Sequence, residues 1–196
     1  MNDREIEEIV RRVVAQSMGL ASQTQTAVTP QPTSSLAVKT ETTAAPKKVV
    51  AIGADHGGFE LKELLKPDLA SLGFDVIDAG TDNKEAVDYP DFALAVASMV
   101  STGKAWRGII IDGAGIGSCI VANKLPGVRA GLAYDISSAS NGREHNDANV
   151  LTLGAGLIGV NLAKQIVKTW LTTEFGGGRH AKRVNKIVAI EKQYLK

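Results

Sequence analysis

The chain has 196 residues, 44% of them hydrophobic and 22% charged, with a formal net charge of +1. This is the composition of a soluble globular domain with an appendage, and it offers neither the basic surface of a nucleic-acid binder nor an acidic tail. No run of about 18 apolar residues is present to span a membrane, Met1–Arg12 lacks a signal-peptide core, and the one cysteine, Cys119, cannot form an internal disulfide or a cysteine metal site, so an intracellular protein is expected.

The first predicted element is a helix over residues 3–18. Ile6, Ile9, Val10, Val13, Val14 and Met18 recur at helical period and make one apolar stripe. Asn2 or Asp3 is placed to cap it, and early acids followed by Arg11 and Arg12 complement the helix dipole. A helix of about 16 residues is marginal alone, so the stripe needs a partner surface. Residues 19–47 are rich in Thr, Ser, Ala, Gln and Pro, which is the composition of a flexible linker. Helix and linker together read as a tethered docking peptide; the alternative is a helix that packs on its own domain or on a sister subunit. The pattern resembles the encapsulation peptides that target enzymes to bacterial microcompartments. That resemblance implies a shell-protein partner for residues 1–18 and a place inside a microcompartment in the cytoplasm.

A domain is predicted over residues 48–196. Val49–Gly53 reads as a first strand, followed by the turn Ala54–Gly58 and a helix spaced by Phe59, Leu61, Leu64, Leu65, Leu69 and Leu72, with Pro67 inside it. Phe74–Ile77 reads as a second strand, 80–90 as a loop, and Phe92–Val100 as a second helix. Ile109–Ile111 is a β-branched run suited to a strand covered on both faces. Asp112 stands at its end, and Gly113, Gly115 and Gly117 let the backbone turn into a helix through Cys119–Ala122. Further strands at Val128–Leu132 and Val150–Leu153 alternate with helices at Asp135–Asn146, Val160–Trp170 and His180–Tyr194. This alternation predicts a five-stranded parallel sheet with helices on both faces.

Ligands in such folds gather beyond the carboxyl ends of the strands. Asp55 and His56 follow the first strand and Asp112 the third, so they are expected to share one crevice. A carboxylate beside a glycine loop that presents N–H groups is equipment for proton abstraction next to a carbonyl. The plainer alternatives are an aspartate that caps a turn, turn chemistry at Asp55-His56-Gly57-Gly58, a solvated helix end at His145, and a charged face at 176–183. Arg179 and Arg183 are four apart, so on a helix they share a face and can hold a phosphate. No histidine or cysteine cluster has metal-ligand spacing, and neither a P-loop nor a dinucleotide fingerprint is present, so no metal and no cofactor are expected.

The motifs G-A-D-H-G-G-F-E-L-K (53–62), D-Y-P-D (88–91), D-G-A-G-I-G-S-C-I-V-A-N-K (112–124), G-V-R-A (127–130), R-E-H-N-D-A-N-V-L (143–151) and G-G-R-H-A-K-R (177–183) occur in this order. Together they resemble the ribose-5-phosphate isomerase B / galactose-6-phosphate isomerase family over residues 48–195. The resemblance implies a three-layer α/β/α Rossmann-like domain that works as a homodimer or a dimer of dimers, with sites shared between subunits. It also implies metal-independent aldose–ketose isomerisation of a sugar phosphate through an enediolate, with ribose 5-phosphate and ribulose 5-phosphate first in line. Carried over by motif, Asp55, His56, Tyr89 and Asn146 contact the sugar, and His145 assists ring opening from a neighbouring subunit. Arg179 and Arg183 hold the phosphate, and the backbone of Gly113, Gly115 and Gly117 stabilises the enediolate oxygen.

The chain departs from that family at the base. Many members have a cysteine where Asp112 stands, and another branch uses a glutamate where Ser118 stands; Cys119 matches neither position. Asp112 is therefore the expected base, made effective by partial burial at the strand end. Ala114 replaces the usual Ser or Thr, and Gly156 stands where many members have an arginine. These changes leave two alternatives open: isomerisation of a tetrose or hexose phosphate, or a catalytically silent sugar-phosphate-binding or scaffold protein.

Overall fold

The computed structural model describes residues 48–195. The helix expected at 3–18 and the linker expected at 19–47 lie outside the described residues. Five strands form one parallel sheet: β1 (Val49–Ala54), β2 (Asp75–Asp78), β3 (Arg107–Asp112), β4 (Ala130–Leu132) and β5 (Val150–Gly154), in the order β2-β1-β3-β5-β4. Six helices connect and follow them: α1 (Phe59–Ser71), α2 (Tyr89–Ser101), α3 (Ile116–Ala122), α4 (Ile136–Asn146), α5 (Val160–Thr172) and α6 (Gly178–Tyr194).

The apolar runs explain the layers. Every residue of β3 and β5 is buried, as strands covered on both faces require. On one face, Val50, Ile52, Ile109, Ile111, Leu151 and Leu153 pack against α1, α4 and α5 through Leu65, Leu69, Ala139, Ile166 and Trp170. On the other, Ala51 and Ile110 meet Ala93, Val96, Ala97 and Val100 of α2 and Ala122 of α3. Full burial of such a side chain is worth about 1.5–3 kcal/mol relative to exposure, so these two apolar layers fix the sheet and leave its strand ends to the loops.

Some boundaries differ from expectation for local reasons. Helix α2 begins at Tyr89 rather than Phe92, because Pro90 occupies its first turn, where a proline costs no helical hydrogen bond. Pro67 sits inside α1 without ending it. Strand β4 is shorter than expected, since Val128 and Arg129 are still in the loop that feeds it. Lys62, at the end of the first motif, is fully buried and bonds Asp78 Oδ1 at 2.7 Å and Oδ2 at 2.6 Å, tying α1 to the end of β2.

β1 is followed in sequence by β2 on one side and is flanked by β3 on the other. The order therefore reverses between β1 and β3, and this switch point opens a crevice at their carboxyl ends.

Candidate active site

The turn after β1 and the glycine loop after β3 form the two walls of that crevice. Ala54 is paired in register with Ile111, and the Asp55 N–H donates to the Ile111 carbonyl at 3.2 Å. A Cβ built on Gly57 would lie 3.4 Å from Asp55 Oδ1 and 3.8 Å from Gly113 N, so the carboxylate and the start of the glycine loop border one spot. Asp55 is only 8% exposed, and its Oδ1 accepts the Gly58 N–H at 2.9 Å. The His56 ring is held by the loop before α2, with Nδ1 3.2 Å from the backbone N and O of Val87.

Asp112 organises the glycine loop. Its Oδ1 accepts the N–H groups of Ala114, at 2.8 Å, and of Gly115; its Oδ2 accepts the Ser118 N–H at 3.1 Å and the Ser118 hydroxyl at 2.5 Å. A carboxylate offers about four acceptor sites, and all are used inside one turn of chain. The expected free, partly buried base is thus a carboxylate that is 5% exposed and surrounded by its own loop. Among the described residues, the N–H groups of Gly113, Ile116 and Gly117 have no hydrogen-bond acceptor. Gly115 starts α3 at φ +77°, where a Cβ would stand 2.8 Å from the Leu153 carbonyl carbon; only glycine turns here without strain.

Two tyrosines frame this loop. The Tyr89 ring lies over Gly117, within 2.5 Å of where a Cβ would be. The Tyr134 hydroxyl donates to the Ala114 carbonyl at 2.8 Å. Tyr134 and the donor role of Ser118 were missed by sequence reasoning. The signal for Tyr134 was its place between a strand end and the capping residue of the next helix, Asp135. Gly156 N–H bonds the Gly113 carbonyl at 3.0 Å, which brings the turn after β5 against the same loop. The Cys119 thiol is pushed up by burial and lies 3.5 Å from the Ala130 carbonyl, so it is not a thiolate in waiting.

The remaining predicted residues form a second cluster. The His145 and His180 rings stack with centroids 4.3 Å apart and planes within 1°. Arg179 Nε donates to His180 Nε2 at 3.4 Å, which leaves the proton of a neutral ring on Nδ1, a buried atom without a partner among the described residues. Burial first, then the charges of His145, Arg179 and Arg183, hold His180 below its ordinary value of 6.5. Asn146 Nδ2 bonds the Asn141 carbonyl at 3.3 Å. Arg179 and Arg183 both occupy the first two turns of α6, which is joined to α4 where Gly176 N–H donates to the Glu144 carbonyl at 2.9 Å.

The two clusters stand at opposite ends of the sheet. Helix α4 runs back to the amino end of β5, where Val150 pairs with Gly108, whereas the crevice opens beyond the pair Gly154–Asp112. A strand of that length separates them by roughly 13 Å at 3.3 Å per residue. One chain therefore brings together Asp55, His56, Tyr89, Asp112 and the glycine loop, and separately His145, Asn146, Arg179 and Arg183. A groove of about 480 Å³ between α6 and the β4 edge is lined by Ile187, Ile190 and Tyr194. Of the predicted site residues it touches only Asn146. No group of three or more possible metal ligands occurs among the described residues, and no described helix is long and apolar enough to cross a membrane.

An open parallel sheet with a donor-lined glycine loop at its switch point defines a small-ligand α/β protein. Comparison with known proteins makes this specific. The Ribose/Galactose Isomerase family matches residues 50–187. Ribose-5-phosphate isomerase B of Escherichia coli is 45% identical over 146 residues, covering 74% of this chain and 98% of its own length. D-erythrulose-4-phosphate isomerase of Pectobacterium atrosepticum is 44% identical over 145 residues, covering 74% and 95%. The solved structure of Clostridium thermocellum ribose-5-phosphate isomerase B superposes with a TM-score of 0.73 at 52% identity, covering 74% of this chain and 99% of that one. The chain belongs to the ribose/galactose isomerase family and is an aldose–ketose sugar-phosphate isomerase.

Proposed function

We propose that this isomerase interconverts ribose 5-phosphate and ribulose 5-phosphate by a metal-independent enediolate route. The observation that carries the reading is the crevice itself: among the described residues the N–H groups of Gly113, Ile116 and Gly117 have no acceptor, and Gly113 N borders the same spot as Asp55 Oδ1, an arrangement suited to a developing oxyanion. His56 and Tyr89 hold the sugar hydroxyls, and Asp55 contacts the sugar beside them.

Within one chain the phosphate-binding arginines lie at the wrong end of the sheet for this crevice. We infer that the working unit is a homodimer, alone or in a dimer of dimers, in which His145, Asn146, Arg179 and Arg183 of one subunit complete the crevice of the other. His145 then assists ring opening. Arg179 and Arg183 clamp the phosphate, helped by the positive end of the α6 dipole. Asp112 has its oxygens directed at four loop donors, and this favours a brace over the base expected from the sequence.

A second substrate reading has a specific basis. The D-erythrulose-4-phosphate isomerase is nearly as similar as the ribose-5-phosphate isomerase, at 44% against 45% identity. Comparison of kcat/KM for ribose 5-phosphate and D-erythrulose 4-phosphate decides: the pentose is favoured under our reading, and a tetrose preference of tenfold or more, about 1.4 kcal/mol in transition-state binding, replaces it. Residues 1–18 are proposed to dock on a microcompartment shell protein. Removal of residues 1–46 should then abolish shell association and leave turnover unchanged.

A further inference from the structure

We propose that Asp55 is the base that moves the carbon-bound proton in this chain, with Asp112 a positioning residue that acts through the glycine loop. The proposal rests on the isomerase reading above.

A base needs a free lone pair aimed at the C–H bond it breaks. Asp112 has none to spare: two N–H groups fill one oxygen, and an N–H and a hydroxyl fill the other. Using it as a base would mean breaking the bonds that shape the loop. Asp55 differs in this respect. Its Oδ1 accepts a single N–H, from Gly58, and its Oδ2 has no hydrogen-bond partner among the described residues. Both carboxylates are buried, at 8% and 5% exposure, so the contrast lies in their partners rather than in depth.

Position agrees with chemistry. The spot bordered by Asp55 Oδ1 and Gly113 N is open because residue 57 carries no side chain. Base and oxyanion donor must flank the same two carbons, and these two groups flank one spot. Two other candidates in the crevice are engaged elsewhere: the Tyr134 hydroxyl donates to the Ala114 carbonyl, and the Cys119 Sγ lies against the Ala130 carbonyl. The His56 ring is held by Val87 through Nδ1 alone, which leaves Nε2 to serve the oxygens of the sugar.

The step balances without a co-reactant. Asp55 takes the hydrogen on C2 as a proton. The C–H electron pair becomes the C1–C2 double bond, and the carbonyl π pair moves to O1. A proton passes from O2 to O1, and Asp55 returns its proton to C1 as the C2 carbonyl forms. Nothing is oxidised or reduced overall.

The test measures deuterium exchange at the carbon beside the carbonyl, with ribose 5-phosphate in deuterated water and the full chain. Asp55→Asn keeps the acceptor for Gly58 and should lose exchange by about a thousandfold, with its melting temperature unchanged. Asp55→Ala should regain exchange in proportion to added formate, which substitutes for the missing carboxylate. Asp112→Asn keeps an acceptor oxygen for the loop and should exchange at least tenfold faster than Asp112→Ala, with no response of either to formate. Exchange by Asp55→Asn within tenfold of the unaltered protein would overturn the proposal, as would formate rescue of Asp112→Ala in place of Asp55→Ala. Absence of exchange by the unaltered protein with any sugar phosphate is a different failure, because it removes the isomerase reading and this assignment with it.

Discussion

Ser118 donates both its backbone N–H and its hydroxyl to one oxygen of Asp112, at 3.1 and 2.5 Å, with both side chains buried. This pair closes the glycine loop from within. A hydrogen bond to a buried charged group contributes about 1.5–3 kcal/mol. Ser118→Ala should therefore lower the unfolding free energy by about that amount in urea titrations, because the Asp112 oxygen loses a donor that water cannot replace at a buried site. An unchanged midpoint would mean that the hydroxyl contributes nothing.

The shared-site reading predicts complementation. Asp55→Asn and His145→Asn alter opposite ends of one chain but different halves of each composite site. Each alone should be inactive. Mixed and re-equilibrated, half of the dimers pair one chain of each kind, and each such dimer has one site with both halves intact. About a quarter of full activity should return, as two-fold symmetry dictates. No recovery, with exchange of subunits shown independently, would place each site within one chain.

His180 sets a pH dependence. Its depressed titration means that the unfolded chain binds a proton more readily than the folded one. The stability this gives is complete above the unfolded value of about 6.5 and is lost as pH falls through the folded value. The melting temperature should therefore drop as pH falls below about 6.5, and His180→Gln should flatten that change. A bound phosphate dianion reverses the local charge, so inorganic phosphate should raise the His180 titration followed by NMR. No movement would take the phosphate away from Arg179 and Arg183.

Most of the fold was legible because its signals are local. The run Ile109–Ile111 needs cover on both faces, and the stripe Leu61, Leu65, Leu69 reads directly as the face of α1 that is buried. Start sites were less legible where turn chemistry competed, as at Pro90, which looks like a loop residue and is a first-turn residue of α2. For the site, residue types and spacing identified Asp55, His56, Asp112 and the glycine loop as neighbours. They did not reveal that Asp112 spends its acceptors on Ala114, Gly115 and Ser118, because hydrogen-bond satisfaction depends on backbone directions that spacing does not specify. Nor did they show that Arg179 lies with His145 at the far end of the sheet, since that follows from α4 running back to the amino end of β5 and from the Gly176–Glu144 bond that joins α6 to α4.

The central claim is that this chain moves a proton between adjacent carbons of a sugar phosphate. The most direct measurement is NMR of tetrose, pentose and hexose phosphates incubated with the full chain in deuterated water. The account predicts deuterium at the carbon beside the carbonyl of ribose 5-phosphate together with ribulose 5-phosphate as product, with neither formed when Arg179 and Arg183 are both replaced by alanine. Unlabelled sugars across the whole panel, in a protein shown to be folded, would contradict it.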